Sequence, residues 1–262
     1  MTVRGGGGVG VRRGAAAPVL VVAAILVAWE VACRATGVSP IVLPSPARIL
    51  EQLWLFRGEA LRHLVPTLVE TLVGLGVSVA FAVTAAATMD RFASVRAALQ
   101  PLLVASQTIP VVAIAPLLVL WFGFGLAPKI LIVVLVTFFP IAVALLGGFA
   151  ASTVEASDLM RSFGASRRQA FAKLRWPAAL PSLFTGLRIA ATYGVIGAVF
   201  GEYVGAYEGL GIWMQLSQNA FRTDLVFGAI LLSAAVSVTL FGSVVAAERA
   251  AIPWYVASHR AR

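Results

Sequence analysis

The chain has 262 residues, 60% of them hydrophobic and only 12% charged, with a mean hydropathy of +0.94. A soluble domain is roughly half apolar and about a quarter charged, so a chain this poor in charge cannot cover a water-facing surface. Six bilayer-crossing helices need on the order of 120 apolar positions, which this composition supplies.

The single cysteine, Cys33, excludes an internal disulfide and a cysteine-cluster metal site. His63 and His259 are too far apart in sequence for a histidine-based zinc site. Of 20 basic residues against 11 acidic ones, only Lys129 and Lys173 are lysine and the other 18 are arginine. In a membrane chain such an excess reports orientation rather than nucleic-acid binding. A phosphate-cradling loop needs Gly-Lys-Ser/Thr. Pro128 precedes Lys129 and Ala172 precedes Lys173, so the chain cannot hold ATP in that way.

Residues 1–14 read as a flexible basic tail carrying Arg4, Arg12 and Arg13. Gly5, Gly7 and Gly10 match a dinucleotide-binding G-x-G-x-x-G pattern only by accident, because no strand precedes them and no βαβ unit surrounds them. Pro18 to Cys33 is the first hydrophobic run, an uncleaved span rather than a signal peptide; Glu30 sits where a lipoprotein signal wants an aliphatic residue. Residues 15–63 therefore hold a first span and then Pro46 to Phe56, which is too short to cross. Its Ile49, Leu50, Leu53 and Trp54 share one helical face, so it lies in the interface.

Five further stretches, Leu64 to Thr88, Leu99 to Phe122, Ile130 to Ala151, Leu183 to Tyr203 and Leu225 to Ala247, are each long enough to cross a core of about 30 Å at about 1.5 Å per residue. They form a transmembrane core over residues 64–250, followed by a tail at 251–262. The expected fold is all-α: a polytopic membrane protein of six transmembrane helices, one interfacial helix and a cytoplasmic helical hairpin. With the N-terminus inside, 14 basic residues fall on the cytoplasmic side and 6 outside, so both termini are expected in the cytoplasm. Pro101, Pro110, Pro116 and Pro140 fit either ordinary bundle packing or a bent helix lining a path.

The segment 152–181 (STVEASDLMRSFGASRRQAFAKLRWPAALP) is the longest polar stretch and the richest in basic residues. It reads as helix, break, helix. Glu155 to Phe163 carries acids in its first turn, and Gly164 offers a left-handed stop. Ser166 and Gln169 form a capping box for a second helix, expected to run to Leu174 before Pro177 and Pro181 end it. A hairpin presenting Phe163 and Phe171 among arginines suits docking to another protein or lying on lipid headgroups.

At this place the sequence resembles the ABC importer permeases, the binding-protein-dependent inner-membrane components, with their E-A-A-x-x-x-G-x9-I-x-L-P signature. Gly164 and Pro177 are retained. Asp158 and Leu174 are conservative matches, and Leu159, Met160 and Trp176 depart from the pattern. The resemblance implies that Glu155, Asp158, Arg161, Phe163, Gly164, Ala165, Ser166, Phe171 and Pro177 form a coupling helix gripped by a separate ATPase subunit, where the ATP is bound. It also implies an extracytoplasmic solute-binding protein, a homodimer and a location in a bacterial plasma membrane. No cofactor, metal or catalytic residue is expected in this chain.

The resemblance runs from about Pro46 to Trp254 and is strongest to the nitrate/sulfonate/taurine type, whose third span resembles Pro116 to Gly125. Ser106 to Pro110, Phe138 to Pro140 and Ile189 to Gly209 resemble the branch for pyrimidine thiamine precursors; a riboflavin importer is similar.

Ionisable groups at membrane depth usually face a cavity or a partner. Glu70 and Glu202 are expected near the outer mouth, and Gln107, Thr108, Pro110 and Tyr193 with them are candidates for the translocation path. Thr192 is a further polar group at depth. Gly209-Leu210-Gly211 suggests an outer turn where a binding protein lands. An ion-coupled secondary transporter is the competing class, but it usually shows internal repeats and several buried ionisable residues. A membrane enzyme would need a usable cluster of His, Asp or Ser.

Overall fold

A computed structural model describes residues 10–151 and 154–255. Among these residues the regular elements are all helical: α1 (Gly10–Thr36), α2 (Pro46–Leu55), α3 (Arg57–Arg91), α4 (Ala93–Ser106), α5 (Val111–Phe122), α6 (Leu126–Ala150), α7 (Val154–Ser162), α8 (Arg167–Ala170), a π-helical turn (Phe171–Arg175), α9 (Trp176–Gly205), α10 (Leu210–Asn219) and α11 (Thr223–Ala251). Five segments are long and apolar enough to cross a membrane: Ala17–Thr36, Arg57–Arg91, Leu126–Ala150, Arg167–Gly205 and Thr223–Ala251. The pair α4–α5 makes a sixth if it is counted as one span. Of the basic tail, residues 1–9 lie outside the described residues, and α1 begins at Gly10. Ser152, Thr153 and His259 also lie outside them.

The described chain divides into two compact units, Met1–Arg57 with Leu216–Gly228 and Gly58–Gln215 with Ala229–Arg262. In the first, α1 leaves Val19, Val21, Val22, Ile25 and Val27 exposed, as a helix bathed in lipid would. Helix α2 starts on Pro46, with Ser45 as its N-cap accepting from the Arg48 N–H at 3.4 Å. It buries Ile49 and leaves Leu50, Trp54 and Leu55 open, the one-sided character of an interfacial helix. Asp224 ties this unit together, accepting from Arg48 at 3.3 Å and Arg222 at 2.9 Å, while Arg222 also donates to Gln52 at 2.9 Å.

The second unit is organised by α6 and α9, which approach closely because glycines face them. A methyl on Gly148 would meet the Ala179 Cα at 2.9 Å, and one on Gly186 would meet the Pro140 carbonyl at 2.8 Å. In a bundle lacking a water-driven hydrophobic term, such close approach supplies the dispersion attraction that holds helices together. Ala82, Ala86, Met89, Ile141, Leu145 and Phe149 fill the resulting core.

Two expectations are corrected. The third hydrophobic stretch, Leu99 to Phe122, is not one rod: α4 and α5 meet at 99° across residues 107–110. Pro110 has no N–H to donate and disfavours helical backbone at Ile109, so the helix stops and restarts. Meanwhile the Gln107 and Thr108 N–H groups close short turns onto the Val104 and Ala105 carbonyls. The second correction concerns Pro177 and Pro181, which do not end the helix that begins at Arg167. The π turn at Phe171–Arg175 widens the backbone, with the Trp176 N–H reaching the Phe171 carbonyl, and Pro177 then falls in the first turn of α9, where a missing N–H costs nothing. Pro181 is carried within α9, which stays helical through residues 182–205.

Candidate functional site

The hairpin follows its local chemistry. Helix α7 ends at Ser162, and Gly164 adopts φ +76°, the left-handed stop that only glycine takes without strain. The Ala165 N–H reaches back to the Met160 carbonyl at 3.0 Å. Ser166 and Gln169 complete a reciprocal box: the Ser166 Oγ accepts from the Gln169 N–H at 3.3 Å, and the Gln169 Oε1 accepts from the Ser166 N–H at 2.8 Å. Asp158 pairs with Arg161 at 3.4 Å on an exposed face. Phe163 is 80% exposed, an apolar ring standing in the open. Phe171 does not join it. Its ring turns inward against Phe149 and Trp176 at 5.5 and 6.3 Å, because the π turn aims it at the core. Trp176, where the family signature has leucine, thus keeps an apolar role. Glu155 lies in α7, but its side chain is outside the described residues.

Near the other end of α9 lies a buried polar cluster. Glu70 on α3 is 1% exposed and Glu202 on α9 is fully buried. Lys129 on α6 donates to the Glu70 Oε1 at 2.6 Å. The Thr67 hydroxyl donates to the Glu202 Oε1 at 2.6 Å and accepts from the Leu210 N–H at 2.9 Å. The Gly211 N–H donates to the Glu202 Oε2 at 2.7 Å, and the Gly209 N–H donates to the His63 Nδ1 at 3.1 Å. Three successive N–H groups opening α10 therefore find acceptors on α3 and α9, and the Glu202 carboxyl occupies the positive end of α10.

Only glycine fits this turn. Gly209 has φ +133°, and a methyl on Gly211 would stand 2.1 Å from the Val199 carbonyl oxygen. Trp213 stacks flat on His63 with ring centroids 5.9 Å apart. Glu70 and Glu202 thus lie in an enclosed network in which Glu202, Thr67 and His63 fix the 209–211 turn. Lys129 and His63 are the members that sequence reasoning missed. A lone lysine inside the apolar run 126–150 was the available signal.

Gln107 and Tyr193 come together. A cavity of about 350 Å3 at the α4–α5 break is lined by Gln107 and Tyr193 with Ser106, Ile109, Phe139 and Pro140, a size within the range of roughly 300–1,000 Å3 usual for small-molecule sites. Thr108 and Pro110 sit exposed at the same break, and the Thr108 hydroxyl is spent on the Ala105 carbonyl at 2.8 Å. Thr192 spends its hydroxyl on the Arg188 carbonyl at 3.4 Å. Among the described residues no group of three or more His, Cys, Asp or Glu is placed to hold a metal ion.

A multi-pass helical bundle with an exposed, glycine-broken hairpin at one end and a small cavity at a bent helix pair has the parts of a transporter's membrane subunit. The family model for the binding-protein-dependent transport system inner membrane component matches residues 74–252. The chain belongs to that family, the permease subunits of ABC importers. It is 38% identical over 238 residues to the formylaminopyrimidine transport permease protein ThiX of Halalkalibacterium halodurans, covering 90% of this chain and 95% of that protein. Other relatives are the riboflavin transport system permease protein RibX of Chloroflexus aurantiacus (34% identical; 88% of this chain, 87% of that one) and the taurine transport system permease protein TauC of Escherichia coli (31% identical; 89% and 87%).

Proposed function

We propose that this permease carries a small flat heteroaromatic solute, of the hydroxymethylpyrimidine or formylaminopyrimidine kind, into the cell. An extracytoplasmic binding protein delivers the solute, and a separate ATPase subunit gripping the 154–175 hairpin drives the cycle. Both termini are cytoplasmic and two copies form the path, because one such chain lines only half of it. The observation that carries the coupling role is the hairpin itself. Its tip is rigidified by Gly164 and the Ser166–Gln169 box, and it presents Asp158, Arg161 and the bare ring of Phe163. Rigid ends are what a mechanical handle needs, since a two-state switch is thrown only by a partner that holds its states differently.

The solute class is supported by the 350 Å3 cavity, where the Gln107 amide can both donate and accept and the Phe139 and Tyr193 rings offer flat walls. The kinship to a formylaminopyrimidine permease supports it as well. Permeation of riboflavin, taurine or another sulfonate is the alternative within the family.

Two measurements test this. In proteoliposomes containing the partner ATPase and binding protein, Asp158→Lys with Gly164→Val should abolish ATP-driven uptake; uptake that survives refutes the handle. Thermal stabilisation of the paired binding protein by pyrimidines, and not by flavins or alkylsulfonates, is the expected solute signature. Stabilisation by either of the latter alone overturns the pyrimidine assignment.

A further inference from the structure

A second, larger cavity lies apart from the solute cavity, between the end of α3 and the hairpin. It has a volume of about 750 Å3 and is lined by Arg91, Arg161, Arg167, Arg168 and Arg175 together with Asp90. Arg175 is committed, donating to Asp90 at 2.8 Å, and Arg161 pairs with Asp158 at 3.4 Å. Arg91 stacks over the Phe92 ring at 5.1 Å. Arg91, Arg167 and Arg168 have no carboxylate partner among the described residues. Three arginines without a carboxylate partner among the described residues thus line one concavity whose acid, Asp90, is already paired with Arg175. Their mutual repulsion is relieved by an anion carrying more than one charge.

Apart from Phe171, the remaining wall is made of small residues. Ala87, Ala165, Ser166 and Ala170 leave the space open rather than filling it with side chains. The Ser166 hydroxyl on that wall is engaged with the Gln169 N–H, so the capping box holds Arg167 and Arg168 at a fixed edge of the cavity. Planar guanidinium forks pair bidentately with phosphate oxygens, and several of them around one space suit a phosphate or diphosphate better than a single-charge carboxylate. The cavity is separate from the solute cavity and shares Arg161, Ala165, Ser166 and Phe171 with the hairpin, whereas Arg91 and Ala87 come from the end of α3.

We propose that it is a binding site for a phosphate-bearing anion that joins the hairpin to the end of α3. A soluble organic phosphate or diphosphate and the headgroup of an anionic phospholipid share this chemistry, and the test separates them. The full chain is purified in a neutral detergent, and its melting is followed against inorganic pyrophosphate at constant ionic strength. In parallel, native mass spectrometry counts phosphatidylglycerol retained from phosphatidylglycerol/phosphatidylcholine nanodiscs. Both measurements are repeated on Arg167→Gln/Arg168→Gln and, as a second variant on a different helix, Arg91→Gln.

Removing one charge-assisted hydrogen bond should weaken binding by about tenfold, so the double variant should bind about a hundredfold more weakly. Saturable stabilisation by pyrophosphate that disappears in the variants supports the site with a soluble occupant. Selective retention of phosphatidylglycerol that disappears in the variants supports it with a headgroup occupant. Flat responses in both arms, or responses equal in wild type and variants, overturn it. If neither anion binds but the variants fail to co-purify with the ATPase, the arginines are a protein-docking surface and the proposal fails. These outcomes need no transport, so they stand apart from the solute and coupling assignments.

Discussion

The buried Lys129–Glu70 pair offers the sharpest test of the energetics. The Lys129 Nζ lies 2.6 Å from the Glu70 Oε1, with side-chain exposures of 9% and 2%, and the Glu70 carboxyl also lies against that of Glu202. Lys129→Met keeps an unbranched apolar stem, one atom shorter, and removes the charge. The carboxylate then stands desolvated without compensation, a situation that costs about 3–5 kcal/mol. In a chain of this size each kcal/mol moves the melting temperature by about 2–4 °C, so the variant should melt about 10 °C below wild type in detergent. Removing both partners as Glu70→Leu/Lys129→Met replaces a desolvated pair by apolar packing and should restore most of that stability, since such swaps are often neutral.

The assay is thermal unfolding of the purified chain, read as a double-mutant cycle with Glu70→Leu as the fourth corner. Two results would refute the reasoning: a Lys129→Met protein that melts with the wild type, or a double variant no better than the single. The first would mean that the pair carries no net interaction, the second that the lysine stem rather than its charge is what matters.

Four further outcomes follow from the geometry. Gly211→Ala drives a methyl to 2.1 Å from the Val199 carbonyl and should destabilise by at least about 2 kcal/mol, whereas Gly76→Ala, in open space on α3, should be neutral or stabilising by up to about 1 kcal/mol. Paired melting curves decide this. Adjacent glycines on α6 should split in the same way: Gly148→Ala meets Ala179 and Ser182 within 3.0 Å and should lower the melting temperature, and Gly147→Ala meets nothing and should not. Ser166→Ala removes the Oγ that caps the second hairpin helix and should cost about 1 kcal/mol locally, seen as faster proteolytic nicking between Gly164 and Gln169. Gln107→Leu strips the cavity of its amide and should slow solute uptake by about tenfold while leaving the melting temperature unchanged, because that side chain is exposed. Unaltered uptake would move the solute elsewhere.

Features built from neighbouring residues could be read directly in the sequence. The membrane class follows from composition. The stop at Gly164 and the box at Ser166 and Gln169 involve residues five or fewer positions apart, so the backbone needs no distant partner to adopt them. The hairpin and most of the crossing helices were therefore legible.

Tertiary structure decided what depends on how helices meet. Glu70 and Lys129 are 59 residues apart, and His63 finds the Gly209 N–H across 146. Such meetings are set by the rotation and close approach of α3, α6 and α9, which bare glycines permit and which an almost uniformly apolar helix does not advertise. The same limit explains the two corrected helices. Whether a proline breaks a span, as at Pro110, or rides in a first turn, as at Pro177, depends on where the preceding backbone has already wound. Composition places this chain in the bilayer. Packing turns its few charges into a buried network and brings an amide and two aromatic rings to one cavity.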